Sequence, residues 1–109
     1  MTISSKVIYG ANQGSRVSTG LTASGIAFTG SGLFHGILIK CDGSNDVTVN
    51  VYDALSATGT QLIPDDSVFD GTIRLAAVSW APGIWFDTGV YIEITTAGDA
   101  EIMLLYNQN

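Results

Sequence analysis

The sequence predicts an all-β chain, an antiparallel β-sandwich of jelly-roll-like form with about eight strands. Three observations carry that prediction. Apolar residues recur with a period of two, as on a strand with one face on a core. Glycine-rich or polar turn clusters interrupt the chain about every 8–12 residues. No window has the 3.6-residue period of a helix.

The strands follow in order. Residues 4–9 alternate, then give way to the loop-like Gly10-Ala11-Asn12-Gln13-Gly14-Ser15. Further strands are expected near 22–29, 33–41, 46–53, 60–63, 72–80, 84–86, 89–96 and 100–106, with one of these segments irregular. In Asp46–Tyr52, Val47, Val49 and Val51 share a face opposite Thr48, Asn50 and Tyr52. In Gly89–Thr96, Val90, Ile92 and Ile94 do the same. In Thr72–Trp80, Ile73, Leu75 and Ala77 stand against Thr72, Arg74 and Ala76. Leu33–Lys40 and Glu101–Tyr106 are instead nearly continuous in apolar residues, which predicts strands covered on both faces, either in the centre of the fold or at a subunit contact. Gly30-Ser31-Gly32, Asp42–Asp46, Ser56–Thr60, Asp70-Gly71, Pro82-Gly83 and Ala97–Asp99 supply the turns. The expected organisation is an N-terminal strand or arm over 1–20 and a sandwich over 21–109.

Composition narrows the function. Of 109 residues, 13% are charged and 46% are hydrophobic. The charged share is about half the usual 25% or so. A short chain buries only part of its surface alone, so a composition this apolar points to surface covered by another chain, with an apolar but monomeric sandwich as the alternative. The formal charge of −6 argues against nucleic-acid binding, which needs a basic footprint. Residues 1–41 hold Lys6, Arg16 and Lys40 and no acid; all ten acids follow, with Arg74 alone among them. Such an asymmetry can steer docking, but a chain with so few charges shows one readily by chance, and chance is the simpler reading. No apolar run reaches the ~18 residues of a membrane helix, and the first residues lack an apolar signal core.

The chemistry-bearing residues are sparse. His35 is the single histidine, expected on the strand face of Leu33 and Ile37, and no G-x-S-x-G nucleophile motif accompanies it. Cys41 is the single cysteine and is expected to be a buried thiol, since one cysteine and one histidine do not make a zinc site. Asp42-Gly43-Ser44-Asn45-Asp46 spaces its oxygens like a calcium loop, but Asp53 stands where such a loop needs glutamate, so a capped hairpin turn is expected. Asp65, Asp66 and Asp70, with Asp53 and Asp87, form no recognisable acid–base pair. No catalytic residue, cofactor or metal is expected. Trp80 and Trp85 flank Ala81-Pro82-Gly83 and could be core, interface anchors or a sugar platform. The interface candidates are Lys6, Tyr9, Arg16, Phe34, Ile37, Trp80, Trp85 and Met103.

Several phrases carry a resemblance: Thr22-Ala23-Ser24-Gly25; Gly30-Ser31-Gly32-Leu33-Phe34-His35-Gly36-Ile37; Val47-Thr48-Val49-Asn50-Val51-Tyr52-Asp53; Ser56-Ala57-Thr58-Gly59-Thr60; and Phe86-Asp87-Thr88-Gly89-Val90-Tyr91-Ile92-Glu93-Ile94, with a last strand closing at Tyr106. Together they make residues 22–106 resemble small virion structural proteins of tailed bacteriophages, of the capsid decoration (cement) or head-fibre type. The resemblance implies a non-enzymatic protein, made in the host cytoplasm and carried on the capsid surface. Its implied partners are the major capsid protein or another virion protein, and further copies of itself as a trimer or dimer. A head–tail or tail-associated component, or a host-glycan-binding module, is the alternative. The resemblance carries over no functional residue and does not extend to residues 1–20.

Overall fold

Eight antiparallel strands and no helix make up the described part of the chain, residues 16–108, in a computed structural model. They are β1 (Arg16–Val17), β2 (Gly25–Thr29), β3 (Gly32–Cys41), β4 (Val47–Tyr52), β5 (Ser67–Phe69), β6 (Leu75–Phe86), β7 (Gly89–Thr96) and β8 (Ala100–Gln108). The first sheet has the order β1-β8-β3-β6 and the second β2-β7-β4-β5. The pairs β4:β5, β3:β6, β2:β7 and β1:β8 are nested, as in one long hairpin. Rolling that hairpin up adds β3:β8 and β4:β7. This is the order of an eight-stranded jelly roll.

The alternation that predicts β4 and β7 also builds the core. Val47, Val49, Val51, Val90 and Ile92 of the second sheet are fully enclosed. So are Phe34, Ile37, Ile39, Phe86, Ile102 and Leu104 of the first sheet, which they face. Phe28 closes one end, edge-on to Phe86 with centroids 5.9 Å apart and 4.7 Å from Tyr106.

β3 departs from simple alternation. Phe34 pairs with Tyr106 and Gly36 with Leu105, so His35 is an extra residue, a β-bulge. Gly36 takes φ 137°, and a Cβ there would strike the Val78 carbonyl. The bulge shifts the strand by one step, so Phe34 and Ile37 both point inward while Leu33 and Leu38 point outward. His35 and Ile37 therefore do not share a face, contrary to expectation.

Three further elements differ from the sequence expectation. Residues 60–63 make one bridge, Gln61 to Tyr52, rather than a ladder. Consecutive Leu62 and Ile63 are both buried, plugging the sandwich, and Pro64 has no N–H to extend pairing. Segments 72–80 and 84–86 belong to one strand, β6, interrupted by an excursion. Ser79 pairs with Gly36 and Ile84 with Phe34, leaving residues 80–83 looped out opposite His35. Finally, the chain already runs along β8 before residue 20. Beyond the β1 pairing, Ser18 N donates to the Leu104 carbonyl at 3.0 Å and Leu21 N to that of Ile102 at 2.8 Å. The sandwich thus includes residues from Arg16 onward, and the arm expected over 1–20 otherwise lies outside the described residues.

Two stability measurements check this packing. Ile37→Ala should lower the unfolding free energy by about 2–5 kcal/mol, whereas Ile73→Ala, at a site 53% exposed, should stay within about 0.5 kcal/mol. Gly36→Ala should cost at least about 2 kcal/mol from strain and collision. Gly25→Ala is the matched control, because a Cβ there meets only ordinary contacts. Urea unfolding of the four variants reads all of these.

Candidate interaction surface

The outer face of the first sheet is apolar. Strand register fixes its rows. Val17, Leu105, Gly36 and Ser79 form one; Met103, Leu38 and Ala77 the next; Glu101, Lys40 and Leu75 the third. At the other end Asn107, Leu33 and Trp85 lie side by side. Leu75 is 68% exposed, Trp85 62% and Val17 50%. Leu33, Leu38, Met103 and Leu105 are half-buried among them. A depression of about 130 Å³ lies in this face, lined by Leu38, Lys40, Leu75, Glu101 and Met103.

The outer face of the second sheet is its opposite. Thr48, Asn50, Tyr52, Tyr91, Glu93 and Thr95 occupy it. Asn50 is buried, and its side chain is fully engaged. Asn50 Nδ2 donates to Asp66 Oδ1 at 2.9 Å and to Glu93 Oε1 at 3.1 Å, and Asp66 N donates back to Asn50 Oδ1 at 2.7 Å. Tyr52 Oη donates to Glu93 Oε1 at 3.4 Å. Loss of hydration and the nearby Glu93 carboxylate push the Tyr52 phenol up from its usual value. Large apolar residues on this face, Val68 and Ile26, stand apart on its edge strands.

The loop carboxylates act as turn caps. Asp42 accepts from Ser44 N and Asn45 N at 2.8 Å, from Asn45 Nδ2 at 2.9 Å and from Asp99 N at 3.2 Å. These bonds hold its carboxyl far below the usual carboxylate range, the Asn45 backbone bond foremost. Asp53 accepts from Asp87 N and Thr88 N and so fixes the β6–β7 turn. Asp70 accepts from Thr72 N and Oγ1, which lowers its pKa. Asp65 accepts from Gln61 Nε2, and Asp46 from Gly71 N. Both carboxylate oxygens of Asp42, the first of the segment that resembles a calcium loop in sequence, are thus engaged by backbone and side-chain donors of its own turn and of Asp99. Cys41 is buried, and desolvation followed by the charge of Asp42 raises its thiol pKa.

The candidate residues scatter. Trp85 and Met103 lie on the apolar face, and Arg16 is exposed at its β1 edge. Phe34 and Ile37 do not belong to a surface: both are 0% exposed, turned inward by the His35–Gly36 bulge. Lys6 and Tyr9 lie outside the described residues, as does the side chain of Trp80. His35 Nε2 and Asn107 Nδ2 share a hydrogen bond at 3.1 Å, and the imidazole lies where a Gly83 side chain would go. Leu33, Leu38 and Leu105 lie on the two strands that the sequence places at the centre of the fold or at a subunit contact, marked by apolar residues in both phases of β3 and β8. Sequence reasoning does not single out Val17 and Leu75 for this face, and it expects Leu75 on the apolar face of its strand. Comparison with protein-family models, with curated proteins and with solved structures found no match to this chain.

The carboxylate caps set a pH dependence. Asp42 and Asp70 have folded-state pKa values below their unfolded ones. Their contribution is present in full above the unfolded value of about 3.9 and is lost as pH falls through that range. The urea midpoint should therefore drop below about pH 4. Asp42→Asn should lower the midpoint at pH 7 and flatten the acid limb; an acid limb as steep as that of the parent chain would remove Asp42 from this account.

Proposed function

We propose that this chain is a non-enzymatic virion structural protein that binds the outer shell of a bacteriophage head and stabilises it by joining neighbouring subunits. The observation that carries the reading is the contrast between the two outer sheet faces: one polar and hydrogen-bonded, the other apolar and presented to solvent. A cement protein needs affinity without chemistry, and apolar area with aromatic anchors supplies it.

Three further points support the reading. The strand-and-turn phrases over 22–106 resemble small phage virion proteins. The jelly roll is a fold that recurs in viral capsid and lectin domains, a fold-level analogy only. The loop carboxylates are engaged in holding turns, which favours a structural over a hydrolytic role for them. In this proposal residues 1–15, with Lys6 and Tyr9, reach the shell as an arm, by strand addition or by lying in a groove. The exposed indole of Trp85 keeps a host-glycan-binding module as the second reading.

Quantitative mass spectrometry of purified particles separates the two. Cement predicts a copy number that scales with the shell proteins; a tail module predicts the few copies of a single vertex and a positive glycan array. Deleting residues 1–15 should weaken binding to purified heads at least tenfold, while the deleted chain keeps the parent circular dichroism. Undiminished affinity would remove the arm from the proposal.

A further inference from the structure

We infer that the apolar outer face of the first sheet is closed by the same face of a second copy of this chain, across a two-fold axis. This deepens the assembly reading above by naming the occupant of one face, and it leaves the 1–15 arm and the acidic loops for the shell.

Area is the first reason. From the exposed fractions of Val17, Leu75 and Trp85 and the half-buried Leu33, Leu38, Met103 and Leu105, the face presents roughly 500 Å² of apolar surface, toward the upper end of the ~300–600 Å² spanned by the largest patch of a typical monomer, a patch that is often functional. With its polar margin of His35, Lys40, Ser79, Glu101 and Asn107 it approaches the ~800 Å² per partner of a stable complex.

The sheet edges are the second. Among the described residues each edge is unsuited to pairing with another chain. β1 has two residues and β5 three. β2 is bulged between Ile26 and Phe28. β6 is broken by the 80–83 excursion, where Pro82 offers no N–H. Association is therefore directed to a face.

Charge selects the occupant. The chain carries −6, and of its ten acids only Glu93 and Glu101 lie on strands. Two copies meeting through the loops or through Glu93 would set acid against acid. On the apolar face the charged residues are Lys40 and Glu101, register partners of opposite sign. A neutral pair of this kind is self-complementary: a two-fold axis can lay Lys40 of each copy over Glu101 of the other. Leu75, the most exposed large side chain on the face, lines the 130 Å³ depression together with Leu38, Lys40, Glu101 and Met103, so a second copy that covers the Lys40–Glu101 row covers this apolar hollow with it. Sheets packed face to face hold this register at about 10 Å separation, within about 30° of parallel.

The test is sedimentation equilibrium of the full chain over a wide concentration range, with four variants. The parent chain should be a reversible dimer. Leu75→Glu should raise its dissociation constant at least about 30-fold while leaving the circular dichroism unchanged. Lys40→Glu and Glu101→Lys should each weaken the dimer, and the double variant should restore it to within a few-fold of the parent. A chain that is monomeric at millimolar concentration, a trimer, or a dimer indifferent to Leu75→Glu and to the charge swap would overturn the inference. Binding to heads is measured separately, so a monomer that still coats heads would refute the two-fold contact and leave the cement reading standing. A dimer that ignores heads would do the reverse.

Discussion

The step taken by β3 at His35–Gly36 organises the rest of the molecule. A strand in strict alternation would put Phe34 and Ile37 on opposite faces. One extra residue, with Gly36 at a φ that suits glycine, turns both inward. β3 is held on both sides, by β6 and by β8, so its phase is imposed on the whole first sheet. The core gains two large side chains at successive inward levels, Phe34 beside Tyr106 and Ile37 beside Leu104. The outer face gains Leu33 and Leu38 in the same movement.

Part of this was legible in the residues. β4 and β7 alternate cleanly, and their valines and isoleucines point where the period of two says they must. A compact sandwich or barrel, and most of the turn positions, follow from glycine and aspartate spacing; the strand order of the jelly roll, and the Pro82-Gly83 excursion inside β6, do not. The phase of β3 did not follow, because a bulge leaves only a glycine inside an apolar strand as its mark, and His35 beside it looks like an ordinary alternating position. The segment over 60–63 misled for another reason. Leu62 and Ile63 are buried as a plug, and burial alone does not distinguish a plug from a ladder. In 72–80 the apolar face is real, but Leu75 and Ala77 point outward while Ala76 and Val78 point inward. Hydropathy gives the period of a strand and assumes that the greasier side meets the core; here a second apolar surface breaks that assumption.

The surface itself was half visible. Unbroken apolar runs in β3 and β8 read as doubly covered strands, and they do occupy the centre of their sheet. One of their two covers lies within the fold, in the second sheet. The other face is presented outward, ringed by a few polar groups. Meanwhile the acids that could have been read as chemistry hold turns: Asp42, Asp53 and Asp70 each accept backbone N–H groups in loops. With the described loops capped and the sheet edges short or bulged, the apolar outer face of the first sheet is the surface on which the proposed neighbour would gain most from the loss of hydration.

Hydroxyl-radical footprinting of the chain at rising concentration tests that central claim most directly. Trp85, Leu75 and Met103 should lose reactivity together as the protein associates, while Val68, equally open on the second sheet at 61% exposure, keeps its own. Protection of Val68 with Trp85, Leu75 and Met103 unchanged would place the contact on the wrong sheet and contradict the account.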